Sequence, residues 1–181
     1  MARSVAQPLD KTLYLDATLF LSLHRLAIRS ATATSVGTTA VTVFEVSPRF
    51  GSPPDWSVVR ADVRRAYDDA LPIADALAER ERAYARGGAP VVPARVLWMD
   101  DASTSATVLE VRAHDRIGLL YRLTRALADA GLDVRSARMT TLGAEVVDAF
   151  YVVDDTGALV TDPALRLRVE KALLEACRTG Q

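Results

Sequence analysis

Sliding the 181-residue chain against itself by 106 positions lays LAIRSATATSVGTTAVTVFEV (26–46) over LDVRSARMTTLGAEVVDAFYV (132–152) without a gap, and nine of the 21 positions are identical. The shared residues are Leu26, Arg29, Ser30, Ala31, Thr34, Gly37, Val41, Phe44 and Val46, matching Leu132, Arg135, Ser136, Ala137, Thr140, Gly143, Val147, Phe150 and Val152. A tandem pair of similar units is the simplest architecture that explains this, so duplication constrains the fold before any other argument. We place the units at 1–101 and 102–181.

The second unit is the better punctuated. SATVLEVRA (105–113) reads as a strand, with Thr107, Leu109 and Val111 on one face and Val108, Glu110 and Arg112 on the other. After HDRIG, the residues Leu120, Leu123, Leu127 and Ala130 recur at spacings of three and four, and Gly131 follows where a left-handed cap closes a helix. Two β-rich runs separated around Leu142-Gly143 predict a hairpin, and a second turn falls at residues 154–157. Thr161-Asp162-Pro163 then opens a helix carrying Leu165, Val169, Ala172 and Ala176 on one face, to about Cys177.

In the first unit, residues 13–24 would be the first helix. Asp55 can cap a helix carrying Val59, Val63, Ala66 and Ala70, Pro72 starts a further helical piece to Tyr84, and residues 94–101 look like the unit's last strand. Few residues precede residue 13, so the first strand is expected to be short or missing. The fold class is α+β, with antiparallel sheets covered on one face by helices.

The 22 basic and 23 acidic residues are mixed along the chain for a net charge of -1, which leaves no basic stripe for a nucleic acid partner. A single Cys177 allows no internal disulfide, and no apolar run reaches the roughly 18–20 residues of a membrane span. The N-terminal residues lack the apolar stretch of a secretory signal, so a cytoplasmic setting without a membrane partner is expected.

Several chemical readings fail on counting. His114-Asp115 invites a metal-dependent hydrolase, but such a site needs more His and Asp ligands, and the only other histidine, His24, has no acidic neighbour in sequence placed for ligation. His114 is then a polar loop residue. Gly51-Ser52 suggests the start of a nucleotidyltransferase site, yet Asp62 is followed by Val63 and Arg64, so the second metal-binding carboxylate is missing. No catalytic residue, metal or cofactor is therefore assigned.

What remains is HDRIGLL (114–120), a strand-to-helix turn where backbone N–H groups lack intrahelical acceptors and favour an anionic or polar ligand group. Gly118 allows close approach to those amides. Asp115 can cap the helix or accept a ligand ammonium, and Arg116 can bind a carboxylate or sit in solvent. A tight turn with no ligand is the plain alternative.

The stretch from Asp115 to Gly157, with Asp-Arg-x-Gly-Leu-Leu at Asp115, Arg116, Gly118, Leu119 and Leu120, resembles the ACT domain, a ferredoxin-like (βαββαβ) module that binds amino acids and other small effectors. With ASTSATVLEVRAHDRIGLLYRLTRAL preceded by a duplicated unit ending in SPRFGSPPDW, the chain is more closely similar to the C-terminal tandem ACT region of the PII uridylyltransferase family, bifunctional uridylyltransferase and uridylyl-removing enzymes of nitrogen control. The resemblance implies two ACT units and a regulatory module that senses glutamine, with no uridylylation activity of its own. It implies ligand contacts from Asp115, Arg116, Gly118 and Leu119, completed by Val134 and Ser136 on the strand of a packed neighbour. Thr12 stands where Gly118 does in the second unit, so the first loop is not expected to bind. The alternative is a ligand-free interaction or dimerisation module acting in trans, using an exposed sheet edge to pair with another ACT domain or form a homodimer. A truncated gene product is a third reading.

Overall fold

The computed structural model describes residues 3–8, 21, 24, 26–36, 39–48, 54–67, 93–116 and 118–178. The expected helix over 13–24, apart from residues 21 and 24, the helix expected from Pro72 to Tyr84, and the first-unit turn at 10–12 lie outside the described residues. The elements are β1 (Arg3–Pro8), β2 (Leu26–Val36), β3 (Thr39–Pro48), α1 (Trp56–Tyr67), β4 (Arg95–Met99), β5 (Thr107–His114), α2 (Leu119–Asp129), β6 (Asp133–Leu142), β7 (Glu145–Val153) and α3 (Pro163–Arg178).

All seven strands join one antiparallel sheet in the order β1-β3-β2-β6-β7-β5-β4. The repeat found in the sequence is present in its hydrogen bonding, pair for pair. Ala31 faces Phe44 as Ala137 faces Phe150, and Thr34 faces Val41 as Thr140 faces Val147. Even the irregularity repeats: the register shifts between Ile28 and Ser30 in one hairpin and between Val134 and Ser136 in the other. The extra residue is an arginine each time, Arg29 and Arg135, and a bulge of this kind locally bends and twists the strand.

The two hairpins meet through β2 and β6, where Ser30, Ala31 and Thr32 face Arg138, Ala137 and Ser136. Ala31 is thus opposite its own counterpart 106 residues on, and the seam is a pseudo-twofold axis. Both alanines are almost wholly buried, 1% exposed each.

Two expectations from the sequence need restating. The first strand of the first unit is present: β1 pairs with β3, Val5 facing Thr42 as Val111 faces Asp148. It is short, six residues against eight for β5. And β4, read as the last strand of the first unit, lies against β5 of the second, with Trp98 facing Leu109. Local pattern can announce a strand, but its partner is chosen by non-local packing. Here the indole of Trp98 packs against the second unit's core, under the guanidinium of Arg166 at 5.0 Å from the ring centroid.

The core of the second half lies between the sheet and α2 with α3. Alternation on β5 and β7 sends Leu109, Val111, Phe150 and Val152 inward, where they meet Leu123 and Leu127 of α2 and Val169 and Leu173 of α3, all fully buried. Helix α2 ends in a Schellman motif: Leu132 N–H donates to the Leu127 carbonyl and Gly131 N–H to that of Ala128, with Gly131 at φ 82°. Asp162 caps α3 by accepting from the N–H groups of Ala164 and Leu165, and Asp55 does the same for α1 through Ser57. Among the described residues, no helix is long and apolar enough to cross a membrane.

Candidate functional site

Strand β5 ends at His114, and the chain turns into α2 within four residues. Two features hold this turn. Asp115 N–H donates to the Ala144 carbonyl at 2.8 Å, tying the start of the turn to the tip of the β6–β7 hairpin. Gly118 is buried and takes φ 75°, a left-handed conformation that side chains resist, as the residue capping α2. Being a glycine, this N-cap offers the first turn of α2 no side-chain hydrogen bond. The Leu119 N–H donates back to the Arg116 carbonyl at 3.3 Å, and the positive end of the helix faces the space before it.

Two readings of individual histidines change. His114 closes β5 rather than sitting in a loop, and its Nδ1 is buried without a partner among the described residues. His24 does have an acidic neighbour, since its Nε2 lies 3.1 Å from the Asp62 carboxylate. That acid comes from α1, 38 positions along the chain, so no local spacing could announce it. Among the described residues no three His, Cys, Asp or Glu side chains gather as a metal site would need.

Below the turn lies a buried acid that motif reading missed. Asp148 on β7 is 4% exposed, facing Val111 on β5 and Met139 on β6 along the same row as Val146, Phe150 and Val152. Burial and then the nearby Asp115 charge push its pKa up to about 7. Cys177, near the end of α3, is also buried, and its thiol is pushed up to about 11, against the opposing pull of Arg116 and Arg122. Arg122 reaches across from α2 to donate through Nε to the Ala176 carbonyl at 3.2 Å. One signal could have revealed Asp148: the alternation of β7 puts an acid in phase with its core residues.

The residues expected to form the site do not all converge. Asp115, Arg116, Gly118 and Leu119 are together at one end of the sheet. Val134 and Ser136 lie near the other end, because Val134 faces Val152, which faces Thr107 at the start of β5. Eight strand positions separate Thr107 from Asp115, roughly 26 Å at about 3.3 Å per residue. A single amino acid cannot span that within one chain, so Val134 and Ser136 would meet such a turn only as residues of a packed neighbour, which is the role expected of them. The strand that passes the Asp115 end on the neighbouring hairpin is β2, at its first residues: β2 runs antiparallel to β6, and Ser30 faces Arg138.

A βαββα order with both helices over one face of the sheet and a glycine in the turn between first strand and first helix makes the second unit a ferredoxin-like α+β module. Residues 107–168 match the ACT domain family, and this part of the chain belongs to it. The chain is 45% identical over 168 residues, 88% of its length, to a bifunctional uridylyltransferase/uridylyl-removing enzyme of Streptomyces coelicolor, and 34% identical over 188 residues to the one of Mycobacterium tuberculosis H37Rv. The protein of the same name from Erythrobacter litoralis is 46% identical over 100 residues. The chain spans 20% and 22% of the first two relatives' lengths, so it corresponds to an ACT-bearing regulatory part of such an enzyme.

Proposed function

We propose that the chain senses an amino acid, glutamine, as the regulatory part of a PII uridylyltransferase/uridylyl-removing enzyme in nitrogen control. The observation that carries this reading is Gly118, buried and left-handed as an N-cap of α2 that has no side chain to stand before the helix. A ligand carboxylate fits the positive end of α2 and the Arg116 guanidinium, and Asp115 stands at the same end. A packed neighbour would complete this site with the strand that carries Val134 and Ser136, whose counterparts in the first repeat are Ile28 and Ser30. In the whole enzyme, ligand binding would shift activity from adding uridylyl groups to removing them.

Titration calorimetry with glutamine tests the reading directly. The unmodified protein should give heat and a raised melting temperature, and Gly118→Asp should abolish both. Neither signal in the unmodified protein would leave the ligand-free interaction module, with the β2–β6 seam as its example of edge pairing, as the better account.

A further inference from the structure

The Asp148 carboxylate is an acid in the second unit's core that apolar packing does not explain. It sits in the interior, 4% exposed, on the face of β7 that carries Val146, Phe150 and Val152. Two buried threonines are served: Thr107 Oγ1 accepts from the Val160 N–H, and the Thr124 hydroxyl donates to carbonyls in its own helix. An ionised carboxylate without a partner in such surroundings is costly, so a position of this kind is stable only with a proton or a cation.

Its location ties it to the turn. The groups that share its electrostatic environment are Asp115 from the end of β5 and Cys177 from α3, and Cys177 in turn feels Arg116 of the turn and Arg122 of α2. The repeat supplies a second, independent observation. At the position of Asp148 the first unit has Thr42, facing Val5 and Ala33 in the same register. In sequence it has Leu9 for Asp115 and Thr12 for Gly118. The acid in the core, the acid in the turn and the glycine are thus present together in one copy and replaced together in the other, while Ala31/Ala137 and Phe44/Phe150 are kept.

We propose that Asp148 is the anionic anchor of the effector site, its carboxylate taking the ammonium group of an amino-acid ligand whose own carboxylate lies against the first amides of α2. The inference rests on the amino-acid-sensing reading and adds the residue that selects for the amine. Binding needs Asp148 ionised, and with its pKa raised to about 7 the ligand displaces a proton at neutral pH. Affinity should therefore rise with pH. The charged and titratable groups around it are Asp115, Cys177, Arg116 and Arg122, with His114 adjoining Asp115.

The test is calorimetric titration of the chain with L-glutamine and with glutaramate, the same molecule without its α-ammonium, at pH 6 and pH 8. Three proteins are compared: unmodified, Asp148→Asn, and Asp148→Thr, the residue that the first repeat already accommodates. The unmodified protein should bind glutamine about tenfold more tightly at pH 8 than at pH 6, the change in the ionised fraction of a group titrating near 7. Both variants should lose at least tenfold in affinity and most of the pH dependence, and glutaramate should bind the unmodified protein no better than glutamine binds the variants. Variants that hold glutamine as tightly as the unmodified protein overturn the role of Asp148 alone, as does glutaramate binding on a par with glutamine. An unmodified protein that binds no amino acid overturns the sensing reading and this inference with it.

Discussion

Val5, Thr42 and Ala33 form a row across β1, β3 and β2; 106 residues on, Val111, Asp148 and Met139 form the same row across β5, β7 and β6. The two halves of the sheet differ little in register, down to an arginine in each bulge, yet differ in what that register presents to the interior. Duplication has preserved the residues that make a hairpin and let the polar residues at the turn end diverge. A chain can keep a fold twice and a site once, because packing constrains every copy while binding needs only one.

The comparison can be broken first at its shared core. Phe150 is fully buried beneath both helices, and Phe150→Ala should cost about 3 to 5 kcal/mol through lost transfer energy and the cavity left behind. Its counterpart Phe44 is only half-buried, so Phe44→Ala should cost less. Equal losses in urea denaturation would show that the two halves are equally consolidated, against the burial pattern.

The next effect isolates the polar difference. The folded-state pKa of Asp148 is raised to about 7, so between about pH 4 and pH 7 the folded protein keeps a proton that the unfolded chain releases. Stability from this group is therefore fully present at low pH and is lost as pH rises through 7, about 3 kcal/mol between pH 5 and pH 8. Asp148→Asn should flatten that part of the stability profile and raise stability at pH 8. Thr42→Asn, with no ionisable group to remove, should leave the profile's shape alone. Chemical denaturation at several pH values reads both.

Much of this architecture was legible in the sequence, and the exceptions share one cause. Period and punctuation announced β5, α2, the β6–β7 hairpin and α3, because alternation, Gly131, Gly143 and the Asp162-Pro163 start each act within a few residues. The self-match announced the seam's two strands, though not that Ala31 would face Ala137. What stayed hidden depends on distant partners: β4 pairing with β5, and His24 meeting Asp62 of α1. The site was half legible for the same reason. The turn is a local motif, whereas the burial of Asp148 opposite Val111 shows only once β7 is laid beside β5.

The smallest expected effect bears most directly on why one turn kept a glycine. Gly118 at φ 75° pays no steric cost, whereas a Cβ in that conformation costs about 1 to 2 kcal/mol. Gly118→Ala should therefore lower stability by about that amount and weaken ligand binding by more than the stability loss accounts for, since the added methyl also stands before the α2 amides. The reciprocal change, Thr12→Gly in the first unit, sharpens the point. That turn would gain its glycine while still lacking both acids, Leu9 and Thr42 standing in their places, so glutamine binding should stay at one site per chain. A second site appearing in the Thr12→Gly titration would mean that the glycine alone gates binding, and that the paired acids of the second unit serve only to tune it.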